Sequence, residues 1–250
     1  MLNSVTHGDP GAARPLLIAH GLFGSARNWG VIAKRLSDRG QVVAVDMRNH
    51  AYSDWNDVHD YPALAQDLAE VIAHHGAPMD VLGHSMGGKA AMVLAASQPD
   101  LVNRLIIADI APVGYAHSQM GPIEAMRQVD LTRVERRSDV LAQLSGLEPG
   151  VPEFIAQSLD IETKSWRLNL DVLAAEMDKI IGFPELDGRY DGAALFLSGA
   201  TSDYVIPDHR PQIKSLFPNA RFAKIPGAGH WLHAEKPREF EAAVRVFLDA

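Results

Sequence analysis

Gly83-His84-Ser85-Met86-Gly87-Gly88 follows the short apolar run Met79 to Leu82 and precedes the helix-forming stretch Lys89 to Ala96. A strand, a tight turn with a serine between glycines, and then a helix is the setting in which a serine hydroxyl is presented as a nucleophile. Glycine is required at positions 83 and 87 because a β-carbon there would collide with neighbouring backbone, and the serine between them is expected to be strained. Ser85 is therefore the expected nucleophile. The amide of Met86 then faces the oxygen of a carbonyl under attack, which makes it an expected oxyanion donor. Gly83 to Lys89 also has the Gly, four residues, Gly-Lys spacing of a phosphate-binding loop. Ala90 stands where such a loop needs a Ser or Thr hydroxyl for magnesium, and that excludes it.

Upstream, the strand-like Pro15 to Ala19 runs into His20-Gly21-Leu22-Phe23-Gly24-Ser25. Glycines there let backbone amides approach a reacting carbonyl closely, so Leu22 is the expected second oxyanion donor, with Phe23 as the alternative. Downstream, the last strand-like run, Ala220 to Ile225, leads into Pro226-Gly227-Ala228-Gly229-His230-Trp231. Those glycines allow a loop that swings a histidine back over the sheet edge, and His230 is the expected general base. His233 is its competitor. For the carboxylate that orients the base, the residues leave two candidates. Asp109 lies at the end of the run Arg104 to Ile110, whereas the Gly-x-x-acid spacing after the strand Ala193 to Ser198 falls on Ser202, with Asp203 one residue late.

Between Ala111 and Tyr190 the strand signal disappears, and helical segments are expected at Ile123 to Val129, Ser138 to Gly146, Pro152 to Asp160 and Leu170 to Ile181. This block is read as a helical cap, 112–190, inserted into a core formed by 1–111 and 191–250. Its large apolar residues, among them Met120, Met126, Phe154, Trp166, Leu168 and Met177, are expected to roof the serine, with Trp166, Met120 and Met177 favouring medium-length apolar acyl groups. In the core, Asn28 to Arg39, Tyr61 to His75, Met86 to Ser97, Asp208 to Phe217 and Pro237 to Leu248 have helical spacing, while Leu2 to Thr6 and Gln41 to Val45 read as strands and His7 to Ala13 as a turn-rich loop. The polar stretch Asp46 to Ser53 is expected to be a structural turn in which Arg48 and Asp46 bond the backbone and each other. His50, His59, His74 and His75 are read in the same way, since no metal-ligand spacing surrounds them; neither a metal nor a cofactor is expected.

The whole chain has 250 residues, is 47% hydrophobic, contains no cysteine and carries a formal net charge of -8. Thiolate and disulfide chemistry are excluded, and an acidic chain without a Lys/Arg cluster does not suit nucleic acid. No apolar run approaches the roughly 20 residues that cross a bilayer. Met1 to Pro10 lacks a basic region followed by an apolar core, so a cytoplasmic location is the default expectation. A small neutral or apolar substrate fits best, and the oligomeric state is left open.

Taken together, these motifs resemble the α/β-hydrolase superfamily over nearly the whole chain. Gly83 to Lys89, Asp109-Ile110-Ala111-Pro112-Val113, Arg48-Asn49-His50 and Gly229 to Pro237 look like the YbfF-type bacterial esterases. The resemblance implies a mostly parallel sheet with helices on both faces and an inserted cap, with six or seven strands in place of the family's eight. It implies a serine hydrolase cleaving carboxylic esters or acyl thioesters without a cofactor. It also implies that the acid is Asp109, with a Ser at the later position. Ala51 departs from the Gly usual after Arg-Asn-His in that group. A ligand-binding, receptor-like protein and a cofactor-free lyase or perhydrolase share the fold and stay open.

Overall fold

Strand residues here alternate between two apolar layers, which is why the runs read as continuously hydrophobic. Leu17, Ala19, Val43, Val45 and Val81 enter one core, while Leu16, Ile18, Val42, Ala44 and Leu82 enter the other. The computed structural model describes residues 1–11, 13–76 and 78–250, so Ala12, in the expected loop His7 to Ala13, lies outside the described residues.

The strands are β1 (Ser4–His7), β2 (Leu16–Ala19), β3 (Val42–Val45), β4 (Met79–His84), β5 (Val102–Ala108), β6 (Leu159–Asp160), β7 (Ser165–Trp166), β8 (Ala193–Gly199) and β9 (Ala220–Ile225). A seven-stranded sheet has the order β1-β3-β2-β4-β5-β8-β9. Only β1 runs antiparallel to its neighbour; the rest are parallel, so the loops that follow them gather at one edge of the sheet.

The helices are α1 (Gly30–Leu36), α2 (Tyr61–His75), α3 (Met86–Ser97), α4 (Met120–Gln128), α5 (Arg137–Leu141), α6 (Val151–Ile155), α7 (Leu170–Ala175), α8 (Met177–Ile181), α9 (Arg210–Leu216), α10 (Leu232–Glu235) and α11 (Pro237–Leu248). Apolar residues of α2, α3 and α9 cover one sheet face, and those of α1 and α11 cover the other. α2 starts at Asp60, whose carboxylate accepts the Ala63 amide at 3.0 Å. α3 is buried from Met86 to Ala96; its glycines and alanines let it lie close to the sheet.

From α4 to α8 the chain builds a third apolar cluster, including Ile123, Met126, Leu144, Ile155, Leu168, Leu173 and Met177. Its local structure differs from the sequence expectation. The expected helix Pro152 to Asp160 stops at Ile155, and Leu159 and Asp160 pair with Trp166 and Ser165 in a short hairpin. The expected helix Leu170 to Ile181 breaks at Glu176, and Ser138 to Gly146 shrinks to Arg137–Leu141. Apolar spacing marks which residues are buried; where tertiary packing supplies the burial, it does not fix helix ends.

The loop after β3 also differs in its partners. Arg48 makes a bidentate pair with Asp67 on α2, at 2.6 and 2.8 Å. Asp46 accepts from the Ala26 amide and the Asn3 side chain, both at 2.7 Å, so the two residues do not bond each other. Arg48 finds its carboxylate across helix α2 because a guanidinium matches a carboxylate in a planar fork. The loop also seats the inserted segment: Asn169 donates to the Asn49 carbonyl at 3.0 Å, and Ala51 donates to the Arg167 carbonyl at 2.7 Å. Ala51 has φ +47°, the left-handed region in which glycine is unstrained.

Candidate active site

The turn from β4 into α3 holds Ser85 at φ +50° and ψ -117°, a conformation that a residue with a β-carbon keeps only when its surroundings force it. A β-carbon on Gly87 would lie 2.5 Å from the carbonyl oxygens of Ala19 and His20, so β2 and the turn can approach only because that position is glycine. The same closeness brings Gly21, after β2, against Ser85 and His84.

The loop after β2 is fixed by its own His20 and by His50 from the loop after β3. His20 donates from Nδ1 to the Gly21 carbonyl at 2.7 Å and accepts the Met47 amide on Nε2 at 2.9 Å. His50 donates from Nδ1 to the Arg48 carbonyl at 2.8 Å and accepts the Phe23 amide on Nε2 at 3.2 Å. Both rings must be neutral to accept, and burial pushes His20 down to about 4 and His50 to about 3. The Phe23 amide is thus engaged by His50. Among the described residues, the amides of Leu22 and Met86 have no hydrogen-bond acceptor.

His230 hangs from the loop after β9. Its Nδ1 lies 2.8 Å from Asp109 Oδ2, and its carbonyl accepts from His84 Nε2 at 2.9 Å. The ring stacks on Tyr204, with centroids 3.9 Å apart. Asp109 follows β5 with φ +51° and is fully buried. Its Oδ1 accepts the Gly199 amide at 3.0 Å, and its Oδ2 also accepts the Ser202 hydroxyl at 2.5 Å. A buried carboxylate held by several donors presents a fixed lone pair to the imidazole and so selects the Nδ1–H tautomer.

Ser85, Met86, Leu22 and His230 line one cavity of about 350 Å³. Its walls include Trp29, Tyr61, Ile110, Tyr115, Phe154, Ile180, Ile181 and Trp231, so they are mostly apolar. The structure thus brings Ser85, Asp109, His230, Leu22 and Met86 to one place. Asp203 has no hydrogen bond to His230 among the described residues. His233 also borders the cavity but is stacked on Trp29 at 4.1 Å, has no hydrogen bond to Asp109 among the described residues, and burial pushes its imidazole down to about 3.

Of the residues expected to roof the serine, Phe154 lines the cavity, whereas Met120, Met126, Trp166, Leu168 and Met177 do not. Trp166 donates from its indole to the Met126 carbonyl at 3.0 Å and packs, with Met120 and Met177, in the core of the inserted segment. The Phe154 ring lies 5.7 Å from that of Trp231. An indole seeks an acceptor for its N–H, and the carbonyl available to Trp166 lies inside that segment. The ties made by His20 and His50 were not legible in advance, since each spans 27 residues of sequence.

A sequence profile described as the alpha/beta hydrolase family matches residues 16–243. The chain belongs to the α/β-hydrolase family. This α/β-hydrolase is 42% identical to the sn-1-specific diacylglycerol lipase ABHD11 of Mus musculus, covering 96% of the chain and 83% of that protein. It is 39% identical to the esterase YbfF of Escherichia coli (strain K12), covering 94% of the chain and 93% of that protein. A solved structure titled marine microorganism esterase superposes with a TM-score of 0.91 at 36% identity, covering 99% of this α/β-hydrolase and all of the other chain (100%). Among the described residues no helix is long and apolar enough to cross a membrane.

Proposed function

We propose that this α/β-hydrolase cleaves esters of apolar acyl groups through an acyl-enzyme on Ser85, with His230 as base, Asp109 as the acid that orients it, and the Leu22 and Met86 amides as the oxyanion hole. The observation that carries this reading is the 2.8 Å contact between His230 Nδ1 and Asp109 Oδ2, made on the cavity that Ser85 also lines. With Nδ1–H held by the carboxylate, Nε2 is the free lone pair and takes the Ser85 proton as the hydroxyl attacks the acyl carbon. The amides of Leu22 and Met86 take the charge that develops on the carbonyl oxygen; one such donor is typically worth about 3 to 4 kcal/mol. The imidazolium, stabilised by Asp109, then returns the proton to the departing alcohol oxygen. Water repeats the sequence on the acyl-enzyme and frees the acid.

The ester class is supported by the relatives named esterase and diacylglycerol lipase, and the apolar acyl group by the walls of the cavity. Acyl thioesters present the same carbonyl and belong to the same proposal. The helical block 112–190 acts as a cap that supplies part of those walls through Phe154, Ile180 and Ile181. The test is a panel of p-nitrophenyl esters and acyl thioesters assayed with the wild-type chain and Ser85→Ala, alongside a fluorophosphonate probe mapped by mass spectrometry. Turnover that vanishes with Ser85→Ala, and a probe adduct on Ser85, is the expected result; an adduct on another serine refutes the assignment.

A further inference from the structure

Lys89 lies one turn beyond Ser85 on α3, its amide donating to the Ser85 carbonyl at 3.0 Å, so its Cα stands about 6 Å further along the helix axis. The side chain is almost fully buried, at 1% exposure. A buried ammonium is usually matched by a carboxylate, but here the partners are the carbonyls of Ile181, at 2.8 Å, and Gly182, at 2.5 Å. The faces of Tyr115 and Tyr61 complete its surroundings, with Nζ 4.8 and 5.6 Å from their centroids.

We propose that Lys89 is a positioning residue that sets the depth of the acyl pocket by pinning the end of α8, an inference that rests on the ester-cleaving site argued above. The last carbonyls of a helix have no partner within it and must find donors elsewhere. At the end of α8 the Asp178 carbonyl is met by the Gly182 amide at 3.0 Å, while the carbonyls of Ile180, Ile181 and Gly182 take donors from around Lys89: Tyr61 Oη donates to Ile180 at 2.5 Å, the Tyr115 amide to Ile181 at 3.0 Å, and Lys89 Nζ to both Ile181 and Gly182. Ile180 and Ile181 line the cavity together with Lys89, Tyr61, Tyr115 and Ile110. The part of the wall that Ile180 and Ile181 supply is therefore placed by where the end of α8 is held. Lysine suits this place because its stem packs among apolar neighbours while its head supplies donors to adjacent carbonyls. Burial lowers it to about 7, which is consistent with an ammonium whose partners are dipoles and not charges.

The experiment compares the wild-type full chain with Lys89→Met, which keeps the stem and removes the donors, and Lys89→Arg, which keeps donors. Hydrogen exchange across 177–183 should accelerate about tenfold or more in Lys89→Met while α11 is unchanged. The ratio of kcat/KM for p-nitrophenyl octanoate over acetate should rise about tenfold, mainly through KM, and return at least halfway in Lys89→Arg. Unchanged exchange overturns the pin, and a ratio within about twofold of wild type overturns its role in specificity. Should Lys89→Met fail to fold, Lys89→Leu, which also lacks donors, is read in the same way. A wild-type chain that turns over no ester refutes the ester reading instead, and the exchange arm still decides whether Lys89 holds α8.

Discussion

The Phe23 amide donates to His50 Nε2 at 3.2 Å, tying the loop that carries Leu22 to the loop after β3. With that amide occupied, Leu22 is the one of the two candidate donors whose amide has no acceptor among the described residues, which is why the proposed oxyanion hole uses it. Replacing His50 by Leu removes the acceptor and frees the loop. We expect kcat on p-nitrophenyl acetate to fall by about ten- to a hundredfold with little change in KM, because the donor matters only once charge develops. A loss confined to KM would place His50 in substrate binding instead.

Asp109 and Asp203 make opposite demands on a mutational test. Asp109→Asn should lower kcat by about three to four orders of magnitude, since the amide permits the wrong imidazole tautomer. Asp203→Asn should stay within about twofold of wild type. Ser202→Ala removes the hydroxyl that donates to Asp109 Oδ2 and should fall between, at about tenfold. Steady-state kcat on a single ester ranks all three, and Asp203→Asn ranking below Asp109→Asn would reverse the assignment.

Acyl preference should follow Phe154 and not Trp166. Phe154→Ala opens the wall shared with Trp231, so the relative kcat/KM for octanoate over acetate should shift by about fivefold or more. Trp166→Ala should leave that ratio unchanged and destabilise the inserted segment by about 2 to 4 kcal/mol, visible as a lower melting temperature.

Acid should unfold the protein through its buried histidines. His20 is lowered to about 4, and His50, His59 and His233 to about 3, each chiefly by burial. Folded values below the unfolded one mean that the unfolded chain binds the protons. This stability is therefore complete above the ordinary histidine value and is lost as pH falls from there towards 3 to 4. At pH 5 each such imidazole stands for about 2 kcal/mol, so the melting temperature should drop by on the order of 10 °C or more from pH 7. His233→Phe, which retains the stack on Trp29 and removes a buried Nδ1 without a partner, should lessen that drop by about 4 to 8 °C. A melting temperature that does not change between pH 7 and 5 would contradict the account.

Much of the site was legible because its chemistry rides on local patterns. Gly83 to Gly88, His20 to Gly24 and Pro226 to His230 each follow a strand, and parallel strands send their following loops to one edge. For the carboxylate the residues alone left two candidates, since Asp109 and Asp203 both follow strands; the resemblance implied Asp109, and the fold sets its Oδ2 2.8 Å from His230 Nδ1. The inserted segment was least legible. Its helices are short and its hairpin pairs Leu159 with Trp166, so packing partners and not periodicity decided where each element ends.

Ser85 sits where a side chain is least welcome on the backbone, at φ +50° and ψ -117°. A glycine at that position would relax the turn, so Ser85→Gly is expected to give a fold at least as robust as that of Ser85→Ala and no more active. Selection for folding alone would therefore erode this serine, and its retention in a lineage would be a record that turnover, and not durability, has been under selection.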